Sequence, residues 1–584
     1  MTDSTHAKIP VHLRKYIVRQ NYERYTPEDQ AVWRYILRQL KNHLSTHAHS
    51  SYLDGLVKTG ISIDRIPSID SIDEHLEKSG WGAVPVSGFI PPAAFMEFQS
   101  LGILPIASDM RSLAHLQYTP APDIVHEAAG HAPFLADPEY AAYLKHYGET
   151  ARNAIISSED LRQYEAIRHL SDLKEDPRST PAEIARAEAD LNAINASIKG
   201  VSEAALLSRM NWWTAEYGLI GDPASPRIFG AGLLSSVGES RSCLGANVKK
   251  IPLSVDCVNF SYDITEPQPQ LFVAKSFAQL SLVLEDLAKK MSYRLGGVVG
   301  LERALDAATV NSVQLDSGLQ ISGQLKAFQK DAQGQPCHLQ FAGPVQLSRS
   351  YHEWPGQGTE RHAHGFSSPV GRVRGLDREL WQADANTLRG LGLEIGKKAR
   401  LEYTSGIVVE GVLKSSTFAD GQLILLTWTD CKVTHGDTVL FDPAWGEYDM
   451  AVGTRVVSVF GGPADRSRFG RTEDFVAARV PERTPSAEEQ RRYQMFTDLR
   501  QLRESPPASA EPARAQFRKL CQDYLQMPGF EWLPGVELVE LSHQLNLGAE
   551  ERDPLLKHLN PDRFRAGQER QSVIDGLMLA NQRL

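Results

Sequence analysis

The sequence predicts a multidomain α+β protein, with a mainly helical first half, a β-rich region after it and a helical C-terminal region. Three observations support this fold class. A length of 584 residues suggests about three or four domains of ordinary size. Apolar residues recur at helical spacing in the first half, and they alternate with period two in segments such as 407–413 and 421–428. After residue 480 the helical pattern returns, broken at prolines and glycines.

We therefore divide the chain into a polar lead (1–20), a mainly helical region (21–308), a β-rich region (309–480) and a helical C-terminal region (481–584). Within 21–308, a Thr26–Pro27 start and the apolar spacing after it predict a helix from Tyr25 to Leu44. Weaker patterns predict helices at 71–78, 138–147 and 277–291, an extended segment at 81–90, and a short mixed segment at 95–101.

Composition narrows the class of protein. The chain is 42% apolar and 23% charged, which is typical of a soluble protein, and its net charge of −10 disfavours a broad nucleic-acid-binding surface. Five scattered cysteines without a C-x-x-C pair indicate a reducing compartment. Neither a signal peptide nor a run of eighteen apolar residues is visible. We expect a cytoplasmic protein with no nucleic-acid or membrane partner.

The most informative stretch is Tyr118-Thr-Pro-Ala-Pro-Asp-Ile-Val-His-Glu-Ala-Ala-Gly-His131. His126 and His131 are five positions apart, which places their side chains about 140° apart on an ideal α-helix. They converge on one metal ion if the helix ends between them, and Gly130 and Pro133 are residues that end helices. A histidine pair at an ordinary helix terminus is the alternative.

A third metal ligand is available in Trp212-Trp-Thr-Ala-Glu-Tyr-Gly-Leu219. Glu216 shares a helix face with Trp212 and Trp213, and a buried carboxylate among aromatic rings is costly unless it is paired or binds a metal. Two histidines and one carboxylate form the facial triad of non-haem Fe(II) oxygenases. A core helix with a paired glutamate is the alternative.

These two stretches, followed by Gly230-Ala-Gly-Leu-Leu-Ser-Ser-Val-Gly-Glu239, resemble the pterin-dependent aromatic amino acid hydroxylases. The resemblance covers about residues 20 to 300, so it implies that 21–308 is a mainly helical hydroxylase catalytic domain. It also implies Fe(II), a tetrahydropterin as co-substrate and O₂. Pterin recycling enzymes are implied as partners in the cell. The family's C-terminal tetramerisation helix is not recognisable, so no oligomeric state is carried over.

The resemblance implies a role for each of several residues. The implied iron ligands are His126, His131 and Glu216. The implied substrate-binding residues are Arg111, Thr119, Pro122, Trp212, Tyr217, Ser235 and Ile264. The implied pterin-binding residues are Val86, Gly88, Phe89, Phe95 and Glu127. Glu127, facing the pterin side of the iron, and Glu239, behind the site, are the two carboxylates implied near the chemistry.

Two of these positions predict L-phenylalanine as the substrate and L-tyrosine as the product. Tryptophan at position 212 leaves less room for an indole, and the apolar Ile264 offers no partner to a tyrosine hydroxyl. Hydroxylation of tryptophan or another aromatic amino acid is the first alternative. A zinc hydrolase and an inactive scaffold are more distant alternatives.

Two further segments carry separate expectations. Residues 149–202 extend the distance between His131 and Glu216 beyond that of the family, and their charged pattern predicts a helical hairpin broken at 176–181. We favour a solvated surface hairpin over a lid. His362 and His364 would face the same way on a strand and could bind a metal. No third ligand is evident in the sequence, and an ordinary loop pair is favoured.

Overall fold

The computed structural model describes residues 1–88, 90–116, 122–175, 178–262, 267–470, 484–527, 531–564 and 567–581. Within residues 1–308, α-helices make up most of the regular structure. They are α1 (Asp3–Lys8), α2 (Pro27–His47), α3 (Ser51–Lys58), α4 (Ile69–Leu76), α5 (Pro92–Ser100), α6 (Pro138–Ala151), α7 (Ser158–Glu175), α8 (Pro181–Ser197), α9 (Glu203–Asn211), α10 (Ala231–Leu234), α11 (Val237–Ser242), α12 (Phe277–Ala288), α13 (Ser292–Leu295) and α14 (Gly297–Ala307).

Two small sheets accompany these helices. The first pairs β1 (Gly82–Val86) in parallel with β2 (Ile103–Ala107). The second has the order β4-β3-β6-β5, with β3 (Leu219–Ile220), β4 (Arg227–Ile228), β5 (Lys249–Pro252) and β6 (Gln270–Ala274). The extended segment predicted at 81–90 is confirmed for 82–86, as β1, and residue 89 lies outside the described residues. The segment at 95–101, predicted as mixed, is helical through Ser100 in α5. Pro92 fits the start of α5, because a backbone N–H in the first helical turn has no partner within the helix and proline therefore loses no hydrogen bond there.

Helix α2 confirms the predicted helix after Thr26. The Thr26 hydroxyl accepts from the Asp29 N–H and the Asp29 carboxylate accepts from the Thr26 N–H, which forms a capping box. Eleven of the 21 residues of α2 are buried, including the polar Gln30, Arg34 and Gln39. A helix buried on so many sides needs neighbours around it, and the C-terminal helices supply part of that cover.

The insertion between the proposed metal ligands is the predicted helical hairpin, formed by α7 and α8. Thr180 caps α8 through a second capping box with Glu183. The two helices are joined by polar contacts: Lys174 Nζ lies 2.9 Å from Glu188 Oε1, and Gln163 donates to Asn195 Oδ1 at 2.8 Å. Most of its side chains are exposed or half-buried, as a surface hairpin requires.

The β-rich region contains two antiparallel sheets. The six-stranded sheet has the order β10-β9-β8-β7-β17 with β11 also on β9, and the five-stranded sheet has the order β12-β13-β14-β15 with β16 also on β14. The strands are β7 (Val310–Leu315), β8 (Leu319–Lys330), β9 (Pro336–Arg349), β10 (His352–Glu353), β11 (Gly365–Pro369), β12 (Lys398–Glu402), β13 (Ile407–Ala419), β14 (Gln422–His435), β15 (Thr438–Phe441), β16 (Tyr448–Ala451) and β17 (Val456–Gly461). A short α15 (Ala385–Gly390) precedes β12. Asp420 and Gly421, both with positive φ, form the two-residue turn of the β13–β14 hairpin, as the sequence predicts.

Among the described residues after the β-rich region, the α-helices are α16 (Ala487–Glu504), α17 (Ala510–Leu525), α18 (Trp532–Gln544), α19 (Ala549–His558) and α20 (Gln568–Asn581). They share one hydrophobic core with the first 300 residues. The Tyr35 hydroxyl on α2 donates to the Ser572 carbonyl on α20 at 2.6 Å, and the Tyr35 ring lies 5.1 Å from that of Trp532. The boundaries at 308/309 and 480/481 remain predictions. The core described above joins the first and last regions, and a second core joins Leu301 and Ala304 to β-rich residues such as Val313.

His362 and His364 do not share a strand face. They lie in the turn before β11, where His362 is buried and His364 is exposed. His362 Nε2 lies 2.7 Å from Gln357 Oε1, and burial lowers the pKa of its imidazole to about 4. The two histidines therefore lie in a turn, as expected for the favoured ordinary loop pair, and do not share a strand face. In the described ranges, no helix is both long and apolar enough to cross a bilayer.

Candidate functional site

Both histidines of the candidate site lie inside one π-helix, Val125–His131. A π-helix closes its turns between residues five apart, so His126 and His131 stack on one face without any break between them. The prediction that the helix ends between the two histidines is therefore wrong. A wider helix brings them together instead, and a 3₁₀ helix (Ala132–Ala136) continues the chain past His131.

Gly130 has a different role from the predicted helix stop. Its φ is not positive, and a Cβ built on it would lie 2.7 Å from the Ala231 carbonyl oxygen. Only glycine permits that close approach between the π-helix and α10. The contact places Ser235, the residue after α10, beside His126.

Glu216 ends a second π-helix, Trp212–Glu216, which continues directly from α9. The Tyr217 N–H donates to the Trp212 carbonyl at 2.8 Å, a hydrogen bond that spans five residues. Both segments that carry proposed ligands are thus widened helices, a form that occurs frequently at functional sites.

The three proposed ligands converge. Glu216 Oε2 lies 3.3 Å from His126 Nε2, and Glu216 Oε1 lies 3.3 Å from His131 Nε2. The two imidazole rings are 5.0 Å apart and nearly perpendicular. One donor atom from each residue lies within 4.8 Å of the others, and within the described ranges no other group of three histidine, cysteine or acidic side chains comes so close.

The hydrogen bonds of Ser235 orient His126 for metal binding. The Ser235 hydroxyl donates to the Ala231 carbonyl at 2.8 Å and lies 3.1 Å from His126 Nδ1. Since its proton goes to Ala231, the hydroxyl accepts from Nδ1–H. This contact fixes the His126 ring with Nε2 facing the Glu216 carboxylate, where it is available as a metal ligand.

Charges at the site favour an ionised Glu216. Burial raises the pKa of this carboxylate, but His131 and His126 outweigh burial and hold the pKa well below its ordinary value. Asn211 Nδ2 also donates to Glu216 Oε1 at 3.1 Å. Asn211 was not among the site residues predicted from the sequence.

Glu127 is the unusual carboxylate of the site. It is buried, and its Oε2 has no hydrogen-bond partner among the described residues. Burial raises the pKa of Glu127 to about 8, with Glu216 and Asp123 also raising it and His131 lowering it. His131 Nδ1 likewise has no partner in the described part of the chain. Two buried polar atoms without partners, next to a convergent donor set, fit a site that takes a metal ion and further polar groups.

Arg111 is held by a partner that the sequence analysis missed. Its Nε and Nη2 donate to the two oxygens of Asp123, each at 2.7 Å, and its Nη1 donates to the Ser235 carbonyl at 3.2 Å. Asp123 Oδ1 also accepts from the His126 N–H at 3.1 Å. Asp123 stands in the same motif as the histidines, three positions before His126, and that N-terminal capping position was the available signal.

An aromatic stack lies next to Glu216. The Trp212 ring stacks between Tyr217, at 4.5 Å, and Tyr262, at 4.3 Å. The Tyr217 hydroxyl donates to Glu239 Oε2 at 3.0 Å, and burial raises the pKa of Glu239. Trp212, Tyr217 and Glu239 are therefore brought together as one group. Tyr262 was not predicted, because no spacing links it to Trp212.

The residues expected at the pterin form a separate group. Val86 ends β1 and is buried, and Gly88 adopts φ +60° with its N–H donating to Asp109 Oδ2 at 3.2 Å. Phe95 lies in the first turn of α5, half-buried against a cluster that includes Val86.

Pro122 is half-buried at the start of the chain segment that enters the first π-helix. Three other predicted site residues lie outside the described ranges: Phe89, Thr119 and Ile264.

Comparison with known proteins gives consistent matches. The family model of biopterin-dependent aromatic amino acid hydroxylases matches residues 11–166 and 185–332. Phenylalanine-4-hydroxylase of Mesorhizobium japonicum is 29% identical over 301 residues, covering 50% of this chain and 91% of that protein. The corresponding enzyme of Chromobacterium violaceum is 29% identical over 264 residues, covering 45% and 74%. A crystal structure of C. violaceum phenylalanine hydroxylase with bound iron(III) and 7,8-dihydrobiopterin is 27% identical, with a TM-score of 0.38, and covers 50% of this chain and 92% of that one.

Proposed function

The chain belongs to the biopterin-dependent aromatic amino acid hydroxylases, and on that basis we propose that it converts L-phenylalanine to L-tyrosine with Fe(II), a tetrahydropterin and O₂. One observation carries the proposal furthest. His126, His131 and Glu216 place one donor atom each within 4.8 Å of the others. Two imidazoles and one carboxylate leave open coordination positions on an iron, which is what an oxygenase needs. An intact triad in a hydroxylase family disfavours the zinc-hydrolase and inactive-scaffold alternatives.

The protein's part in the reaction is to hold reactants in place. Iron and pterin, when bound, together supply the activation of O₂. Ser235 fixes the His126 ring with Nε2 facing Glu216, and Asn211 and the two histidines keep Glu216 ionised. The site then presents three fixed donor atoms before any ligand arrives, so little reorganisation is needed.

Arg111 is arranged to receive the substrate carboxylate. Two of its nitrogens are committed to Asp123, which fixes the plane of the guanidinium beside Ser235. A guanidinium held in one orientation binds a carboxylate with less loss of entropy than a mobile one.

The face of the aromatic stack is where we place the substrate ring. Trp212 is held on both sides by Tyr217 and Tyr262, so its position is fixed against Glu216. A tryptophan here reduces the room for an indole. The apolar Ile264, assigned to this wall by resemblance, leaves a substrate hydroxyl unsatisfied, at a cost of about 1–3 kcal/mol or roughly ten- to a hundredfold in preference.

Metal analysis of ligand variants tests the iron site. We expect one iron per chain in the unaltered protein and none in His126→Ala, His131→Ala or Glu216→Ala, because each loss opens the coordination shell. His146→Ala is a matched control, since His146 is half-buried and its neighbouring acid is Glu285 at 3.8 Å. If two of the three ligand variants keep full iron occupancy and turnover, the ligand set is wrong.

Product analysis tests the substrate. The quantity to compare is kcat/KM for phenylalanine, tyrosine and tryptophan with the same tetrahydropterin. Phenylalanine should lead, and Trp212→Phe should raise the ratio of tryptophan to phenylalanine turnover by enlarging the pocket. A tenfold lead for tryptophan or tyrosine would refute the substrate while leaving the family intact. We also propose that a pterin dehydratase and a reductase regenerate the pterin in the cell.

A further inference from the structure

A buried carboxylate connects the β-rich region to the helix that carries Phe95. Glu97 lies on α5, two positions after Phe95, and its side chain is 5% exposed. A carboxylate buried this far is costly unless cations or N–H donors surround it. Its partners come from three segments that are distant in sequence: His12, Arg152 and Arg466.

The contacts of Glu97 are close and use both oxygens. Glu97 Oε2 lies 3.1 Å from His12 Nε2 and accepts from Arg466 Nη1 at 2.9 Å, and Oε1 lies 3.7 Å from Arg152 Nη2. Burial raises the pKa of Glu97, but the His12 hydrogen bond and the two arginine charges outweigh burial and lower it to about 2. Glu97 is thus an anion at the centre of a cationic cluster.

Arg466 belongs to the β-rich region and is fixed to it. Its Nη2 donates to the Gly461 carbonyl at the end of β17, at 3.1 Å, and to the Arg152 carbonyl, at 2.7 Å. The preceding residue, Asp465, accepts from the Glu353 N–H on β10 at 2.8 Å. The Arg466 guanidinium therefore links the six-stranded sheet to α5, since it donates both to the Gly461 carbonyl and to the Glu97 carboxylate.

A second contact joins the β-rich region to the segment that follows α6. The Gly461 N–H donates to the Asn153 carbonyl at 3.0 Å, just after α6. A Cβ on Gly461 would lie 2.0 Å from the Ala154 carbonyl oxygen, so no larger residue fits there. Tyr351, between β9 and β10, adds its ring 5.9 Å from the Arg152 guanidinium.

We propose that the β-rich region contributes to the pterin site: through Arg466 and Glu97 it holds α5 and Phe95 in the position that a tetrahydropterin needs. Glu97 and Arg466 are positioning residues, because they act through α5 and not on the pterin itself. The inference rests on the proposed function, which places the pterin at Phe95. It gives the residues after 308 a part in cofactor binding that acts through α5.

The test is Arg466→Gln in the full-length protein. Calorimetric titration with 7,8-dihydrobiopterin gives the Kd without turnover, and steady-state kinetics give the KM values for tetrahydropterin and phenylalanine. We expect the pterin Kd and KM to rise about tenfold, because a loosened α5 no longer presents one geometry. The phenylalanine KM and the iron content should stay at the level of the unaltered protein. A general destabilisation would change both of them as well.

Two further variants keep the test decisive. Arg466→Lys retains a charge for Glu97 but cannot also reach both carbonyls, so it should bind the pterin with intermediate affinity. It also carries the test if Arg466→Gln does not fold. Arg468→Gln is the control, because Arg468 lies two positions further on and is 68% exposed. The control should leave the pterin Kd unchanged.

The outcomes separate the inference from the function beneath it. If the unaltered protein binds the pterin and neither Arg466 variant weakens that binding, the inference is wrong and the proposed function stands. A loss of iron and phenylalanine binding in step with pterin binding also overturns it, since the effect is then not specific to α5. An unaltered protein that binds no pterin overturns the proposed function as well.

Discussion

Glu540→Ala should separate the C-terminal helices from α2. Glu540, on α18, is 4% exposed and accepts two hydrogen bonds from Arg34, at 2.8 and 2.5 Å. It also pairs with Arg38. Burial raises the pKa of Glu540, but Arg34, Arg38 and Arg503 outweigh burial and lower it. The carboxylate is therefore the shared acceptor of two buried guanidinium groups.

The size of the effect follows from what the variant leaves behind. Arg34 and Arg38 have side chains 5% and 10% exposed, so without Glu540 two cations stay buried with too few acceptors. Breaking a buried ion pair on one side costs about 3–5 kcal/mol. That corresponds to an increase of roughly a hundredfold to several thousandfold in the unfolding equilibrium constant. Arg34 keeps weaker partners in Glu537, at 3.5 Å, and Asp64, at 3.3 Å, which favours the lower end.

Urea unfolding measures this cost, and limited proteolysis shows where the structure opens. Cleavage should begin in the C-terminal helices of Glu540→Ala. Asp523→Ala, which removes an exposed carboxylate on α17, should change stability by no more than about 0.5 kcal/mol. Combining Arg34→Ala with Glu540→Ala should cost much less than the sum of the single variants, because both break one pair. A cost below about 1 kcal/mol for Glu540→Ala would refute the argument that this cluster joins the two regions.

Three other outcomes are expected. Gly130→Ala puts a methyl group 2.7 Å from the Ala231 carbonyl and should lower iron affinity about 10–100-fold in a metal titration; unchanged affinity would contradict the close-approach argument. Glu97, whose pKa falls from 4.5 to about 2 on folding, contributes stability that is fully present above pH 4.5 and is lost as pH falls through 2. Between pH 4.5 and 2, the stability of Glu97→Gln should therefore depend less on pH than that of the unaltered protein. An equal pH dependence for the two proteins would count against this argument. A chain ending at residue 480 should aggregate, because α2 loses part of its cover; a stable, active product would show that the shared core is dispensable.

Residue chemistry and local periodicity were enough to predict much of this protein. A few neighbouring residues were enough to predict the capped helix after Thr26, the helical hairpin in the insertion and the Asp420–Gly421 turn. Side-chain propensities and caps act over a few residues, so their signals survive in the chain without its fold. The three proposed ligands were also identified this way, because few residue types bind a metal and their motifs are compact.

The local width of a helix was decided by packing. His126 and His131 converge through a π-helix, and nothing in five residues of spacing distinguishes that from a helix that ends. The extra residue in the turn is stabilised by neighbours, such as α10 pressed against Gly130. Intrinsic preference is weak against such contacts, so the sequence predicted that the two histidines come together but gave the wrong helix geometry for it.

Contacts between distant segments were decided by the tertiary structure alone. Arg111 finds Asp123, Trp212 finds Tyr262, and Glu97 gathers partners from positions 12, 152 and 466. A buried charge must be matched wherever it lies, but the sequence does not say which opposite charge will be near. The sequence therefore determined which groups can do chemistry here, and the fold determined which of them meet, because burial and pairing are properties of the packed chain.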